Sequence, residues 1–216
     1  MSDKNKIEMA EKFVKDKMAR YDSGHDWWHI TRVRNLSAYI NEKENLEDPL
    51  LVDLAALFHD FADSKFESGN QAESVEQLSM FLDDNGLGTF SSRIINIVQE
   101  VSFSSRKKEP GVKNDLLRIV QDADRLDAIG AIGVARAFNY GGYRNNIIYS
   151  PVEGENRYST INHFYEKLLL LRAMMNTETA RILARERHEF LELFLKQFYL
   201  EWNCGSFLLI LIVISA

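Results

Sequence analysis

Apolar residues recur along most of the chain at intervals of three and four, the spacing that gathers them on one face of a helix. Ile7, Phe13, Val14 and Met18 form a first stripe, which fades at Asp22-Ser23-Gly24. A second stripe, Trp28, Val33, Leu36 and Ile40, follows the capping-type residues Ser23 and Asp26. Asp48-Pro49 opens a third helix, because Asp suits the N-cap and Pro the first turn. Its apolar face runs Leu51, Leu54, Ala55, Phe58, and His59-Asp60 follows directly. Residues 71–84 and 89–103 predict two more helices, parted at Asn85-Gly86-Leu87-Gly88 and followed by a polar, partly basic loop over 104–111. Residues 115–139 predict one or two helices. From Tyr140 to Ser159 the pattern lapses in a stretch rich in Gly, Asn and Tyr, and long helices over 159–176 and 178–201 follow. No segment alternates as a strand does. The expected fold is all-α, one helical-bundle domain over residues 1–203 with an apolar tail over 204–216.

Composition supports this reading. The chain has 216 residues, enough for one domain with a sizeable core, and only three prolines to interrupt helices. Hydrophobic residues make up 45% and charged residues 27%, ordinary values for a globular protein. The net charge of −6 argues against a nucleic-acid surface, which needs a basic face. It leaves room for a small phosphorylated partner held by a metal and a few local cations. A single cysteine, Cys204, excludes an internal disulfide and fits a reducing, cytoplasmic setting. The polar start, Met1 to Lys6, does not resemble a signal peptide. Phe207 to Ala216 is apolar but about half as long as a membrane span requires, so no membrane is expected. The tail reads as a segment packed against a neighbour or an altered chain end.

The chemistry concentrates at His59-Asp60. Alone, such a doublet is a helix end with a solvated carboxylate. Here His29 lies upstream in Asp26-Trp27-Trp28-His29-Ile30, and Asp124 downstream in Gln121-Asp122-Ala123-Asp124-Arg125-Leu126-Asp127. Two imidazoles and two carboxylates suit a six-coordinate divalent ion better than a structural zinc site, which favours Cys-rich tetrahedra. Such an ion would keep two positions for water and a phosphate oxygen. Adjacent side chains on a helix diverge by about 100°, so His59 and Asp60 can share an ion only at a helix end.

Three segments then carry a resemblance: Gly24-His25-Asp26-Trp27-Trp28-His29-Ile30-Thr31-Arg32-Val33, Leu54 through Lys65, and Val120 through Gly130. They resemble the motifs of the HD-domain metal-dependent phosphohydrolases, in particular a bacterial single-domain subfamily of nucleotide pyrophosphohydrolase type. The resemblance implies that His29, His59, Asp60 and Asp124 hold one divalent ion (Mn, Mg, Co, Ni, Fe or Zn). It also implies hydrolysis of a nucleotide phosphate bond, with a nucleoside or deoxynucleoside triphosphate cut to monophosphate and pyrophosphate. The alternatives are a 5′-nucleotidase, a cyclic-nucleotide phosphodiesterase, or a nucleotide sensor without turnover. A homodimer is left open.

Neighbouring residues admit two readings each. Asp63 could orient or deprotonate a water and Lys65 could neutralise a phosphate oxygen, or the two could form a helix-end ion pair. Asp127, near one turn after Asp124, could orient a ligand or act as an acid, or pair with Arg125 or Arg136. Arg32 shares a helix face with His29 and is a phosphate-contact candidate, or a solvated arginine. His25 and His29 stand four apart, as in zinc proteases, but Asp26 replaces the required Glu and no third ligand follows. His25 is therefore expected behind the ligands or at the site mouth. Tyr143 and Arg144, in a glycine-bearing stretch, are candidates for base and phosphate contacts on a lid, or a plain connection. Trp27 and Trp28 are expected in the core or site wall.

Overall fold

The structure, a computed structural model, describes residues 2–18, 27–62, 71–101, 114–152 and 154–204. Among them there is no strand, and the all-α class expected from the periodicity is what the chain adopts. The contacts divide the chain into two compact units, the first of residues 1–127 with 174–181, the second of 128–173 with 182–216.

The described residues of the first unit form α1 (Asp3–Met18), α2 (Trp27–Glu44), α3 (Pro49–Phe58), α4 (Gln71–Asp84), α5 (Gly88–Glu100) and α6 (Asp115–Asp127), with the start of α9 (Glu178–Trp202). At its centre is α3, where Leu51, Val52 and every residue from Leu54 to Phe58 are buried. A helix that is apolar all round has to be enclosed by others, and α3 is packed by α1, α2, α5 and α6. Its start follows the expected chemistry. Asp48 is the N-cap and accepts a hydrogen bond from the backbone N–H of Leu51 at 3.0 Å, with Pro49 in the first turn. Its end is His59, the C-cap residue, after which Phe61 N–H donates to the Phe58 carbonyl in a tight turn. A stack of Phe13, Phe61 and Phe81 covers this turn. The helix α1 carries the first stripe through Met18, and its expected end at Asp22-Ser23-Gly24 lies outside the described residues.

The second unit contains α7 (Gly130–Tyr143), α8 (Thr160–Glu166), short 3-10 turns at Asn156–Tyr158 and Leu168–Met174, and most of α9 (Glu178–Trp202). Gly130 opens α7 at φ +76°, a conformation that a side chain would strain. Phe138, Phe164, Phe194 and Phe198 form the aromatic centre, extended by Tyr149 and Trp202. Two boundaries differ from expectation. The segment expected to be irregular from Tyr140 is helical through Tyr143. Gly141 lies where α7 packs on Thr160: a Cβ there would fall 2.1 Å from the Thr160 hydroxyl, so the glycine permits contact and does not break the helix. The expected helix over 159–176 is instead α8 followed by the 3-10 turn, since Lys167 leaves helical geometry at φ −138° and ψ −60°.

Candidate metal centre

Three helices of the first unit assemble the cluster. α2 packs on both α3 and α6, and α3 touches α6. His29 lies in the first turn of α2, His59 and Asp60 where α3 stops, and Asp124 on the last turns of α6. The two adjacent residues converge where α3 stops: Asp60 Oδ2 lies 3.3 Å from His59 Nε2 and 3.4 Å from His29 Nε2. His29 Nε2 lies 3.6 Å from an Asp124 oxygen and 3.3 Å from His59 Nε2. Among the described residues, His29, His59 and Asp124 each offer one ligand atom, and these atoms lie within 4.8 Å of one another.

This donor set fits a divalent ion. Ligand atoms about 2.1 Å from a shared ion stand about 3.0 Å apart in an octahedron and about 3.4 Å apart in a tetrahedron. The spacings of 3.3 to 3.6 Å are of that size. The hydrogen bonds of the far ring nitrogens agree. His59 Nδ1 donates to the Ala56 carbonyl at 2.8 Å, and His29 Nδ1 donates to Asp127 Oδ2 at 2.8 Å. With each Nδ1 carrying its proton, the neutral rings aim two Nε2 lone pairs at the same point, an arrangement that requires a cation or a proton between them. In the metal-free chain a proton answers. Burial works against charging His59, but the Asp60 carboxylate beside it, aided by the charge of Asp124 and the bond to Ala56, raises its pKa to about 9. Both imidazoles are buried, whereas the Asp124 side chain is 35% exposed, so the cluster meets solvent on the Asp124 side.

Asp127 holds the first histidine from behind. Its Oδ2 accepts from His29 Nδ1, and both of its oxygens accept from Arg32, Nε to Oδ1 at 2.6 Å and Nη2 to Oδ2 at 3.1 Å. Arg32 and His29 thus share one carboxylate from the same face of α2. Arg125 bonds instead to the Met174 carbonyl at 2.6 Å and lies 3.6 Å from Asp122. Asp122 is a residue that sequence reasoning passed over. Its buried carboxylate accepts from Asn176 and Thr177, partners 54 and 55 positions away that no local pattern signals.

Other candidates fall elsewhere. His25, Asp63, Lys65 and the segment after Cys204 lie outside the described residues. Tyr143 ends α7 and Arg144 is its cap, both exposed in the second unit. Trp28, expected in the core or site wall, is 66% exposed, because the core-facing residues of α2 are His29, Ile30 and Val33. Trp27 is half-buried with the Lys15 ammonium 4.0 Å over its ring. No helix among the described residues is long and apolar enough to cross a membrane.

Comparison with known proteins agrees with the geometry. The HD-domain family model matches residues 27–129, a span that contains every member of the cluster. The protein YpgQ of Bacillus subtilis is 40% identical over 205 residues, which cover 91% of this chain and 94% of YpgQ. The chain therefore belongs to the HD-domain family. Its fold is also that of YpgQ in a crystal structure in complex with ADP, with TM-score 0.77 and 38% identity over 92% of this chain and 95% of that one. An HD-superfamily hydrolase from Bacillus thuringiensis is similar to the same degree, with TM-score 0.76 and 36% identity over 94% of this chain and 99% of its own.

Proposed function

We propose that the protein is a metal-dependent phosphohydrolase acting on a nucleotide, with a nucleoside or deoxynucleoside triphosphate cut to monophosphate and pyrophosphate. The observation that carries the reading is the facing pair of buried Nε2 atoms, 3.3 Å apart, with the carboxylates of Asp60 and Asp124 beside them. His29, His59, Asp60 and Asp124 would hold the ion. A divalent ion bound there supplies Lewis-acid chemistry, polarising a phosphoryl group and acidifying a water molecule.

The chain's own groups do the rest. The Ala56 carbonyl and Asp127 fix the tautomers of the two histidines, so that their lone pairs are aimed before any ion arrives. Arg32, fastened by Asp127, places a positive charge beside the cluster where the phosphates of a substrate carry negative charge. Asp63 would orient the attacking water and Lys65 would neutralise a phosphate oxygen, roles assigned from their positions just after the doublet. The nucleotide class is supported by the ADP complex of YpgQ, a relative over nearly the whole chain.

The test is a panel of nucleoside and deoxynucleoside triphosphates incubated with Mn²⁺, with pyrophosphate and orthophosphate measured separately. Release of pyrophosphate by the wild-type chain, and its loss in His59→Ala, is expected. Orthophosphate alone would point to a nucleotidase, and no release with any divalent ion would sink the reading.

A further inference from the structure

One face of α6 is tied down by a set of bonds that the proposed chemistry does not use. Arg118, Gln121, Asp122 and Arg125 recur at the spacing of a single helix face. All four are bonded to the segment Met174–Thr177, which leads into α9. Arg118 Nη2 donates to the Asn176 carbonyl at 2.9 Å and Arg125 Nη1 to the Met174 carbonyl at 2.6 Å. Gln121 Oε1 accepts from Asn176 Nδ2 at 3.5 Å.

Asp122 is the centre of the set. Its side chain is fully buried and accepts from the backbone and side-chain donors of Asn176 and Thr177. Asn176 N–H reaches Oδ1 and Oδ2 at 2.9 Å each, and Asn176 Nδ2 reaches Oδ1 at 2.9 Å. Thr177 N–H and hydroxyl reach Oδ2 at 2.7 and 2.9 Å. A fully buried carboxylate is costly to keep unless it is bonded in this way.

Asp124 and Asp127 lie about 200° and 140° round the helix from Asp122, on the side turned to His29. The helix is thus gripped on one side by Asp122 and engaged with the cluster on the other. A rotation of about 20° would move a carboxylate about 6 Å from the helix axis by about 2 Å. That is more than half of the 3.6 Å between Asp124 and His29 Nε2, and metal ligand distances tolerate only a few tenths of an ångström.

We propose that Asp122 is a positioning residue for the metal centre: by clasping Asn176 and Thr177 it fixes the rotation of α6 that aims Asp124 and Asp127 at His29. The inference rests on the reading of the cluster as a metal site. It is tested by the affinity of the full-length chain for Mn²⁺, followed by the electron paramagnetic resonance signal of the free ion, with helical content checked by circular dichroism. Asp122→Asn keeps the volume but turns an amide toward the N–H donors of the segment. It should retain the helical spectrum and weaken Mn²⁺ binding about 10- to 100-fold, as lost support of a ligand does. The loss should shrink when the substitution is combined with Asp124→Ala, because Asp122 acts through Asp124.

Thr177→Val removes one donor to Asp122 and should weaken binding about 3-fold, which keeps the test open if Asp122→Asn does not fold. Affinities unchanged in both variants, or a loss undiminished in the Asp124→Ala background, would overturn the proposal. A wild-type chain that binds no Mn²⁺ would overturn the metal reading itself, and this inference with it.

Discussion

Asp127 serves His29 and Arg32 at once: its Oδ2 accepts from the imidazole Nδ1 at 2.8 Å while its Oδ1 accepts from the guanidinium Nε at 2.6 Å. The carboxylate is buried, so its charge is balanced by Arg32 and its aim is set by two rigid partners. An amide in its place would keep the shape, lose the charge and satisfy only one partner fully. Asp127→Asn should lower Mn²⁺ affinity about 10-fold by isothermal titration calorimetry. An unchanged affinity would mean that His29 needs no such support.

A proton and a metal ion compete for the same lone pair on His59. Its folded pKa is raised, to about 9 from 6.5. In the metal-free chain, the stability it contributes is full below its unfolded value and is lost as pH rises through about 9. Metal binding has the opposite sign, because the proton must leave first. Calorimetry at pH 7 in buffers of differing ionisation enthalpy should show close to one proton released per ion. The release should vanish, and the affinity stop rising, above pH of about 9. Affinity independent of pH between 6 and 9 would remove His59 from the ligand set.

Arg34 ties α1 to α3 through α2. It bonds both oxygens of Asp53, at 2.6 and 2.8 Å, and Glu11 at 2.7 Å, and is itself largely buried. Burial opposes its charge, yet Asp53 and Glu11 outweigh burial and raise its pKa. Arg34→Met would leave two carboxylates facing each other in a half-buried site. The urea midpoint should fall by an amount equivalent to about 2–3 kcal/mol. A loss below about 0.5 kcal/mol would show the triad to be no more than a surface ion pair.

Two glycines of α7 should respond in opposite senses. A Cβ on Gly133 would lie 2.2 Å from the Ala128 carbonyl oxygen, a backbone atom that cannot step aside, whereas one on Gly142 meets nothing within 4 Å. Gly133→Ala should destabilise the chain by about 1–3 kcal/mol through overpacking. Gly142→Ala should raise stability by up to about 1 kcal/mol through helix propensity. Thermal melts of the two variants against the wild type decide the matter.

Much of this is legible in the sequence itself. Asp48-Pro49 marked the start of α3 because capping is local chemistry, and the convergence of His59 and Asp60 was conditional on a helix end that the apolar run announced. What escaped was whatever depended on partners remote in the chain. The glycine-bearing stretch from Tyr140 reads as irregular, but Gly141 is a contact residue that lets α7 pack on Thr160. Asp122 is one of four acidic residues on α6, and only the arrival of Asn176 and Thr177 separates its task from that of Asp124. Trp28 looked apolar and therefore buried, yet the face of α2 turned inward belongs to His29, Ile30 and Val33. The role of Asp127 stays open in the sequence between a ligand's support and a pair with Arg125 or Arg136, because its actual partners, His29 and Arg32, lie 98 and 95 positions away.

The claim that His29, His59, Asp60 and Asp124 form a hydrolytic metal centre is tested most directly by phosphorus NMR of a nucleoside triphosphate incubated with the full chain. With Mn²⁺ or another divalent ion supplied and then removed by chelation before the spectrum is taken, new resonances of a nucleoside monophosphate and of pyrophosphate should appear. They should be absent when chelator is present from the start and in the His59→Ala variant. A triphosphate left intact across the panel of bases, sugars and divalent ions, or turnover that persists undiminished in His59→Ala, would contradict the account.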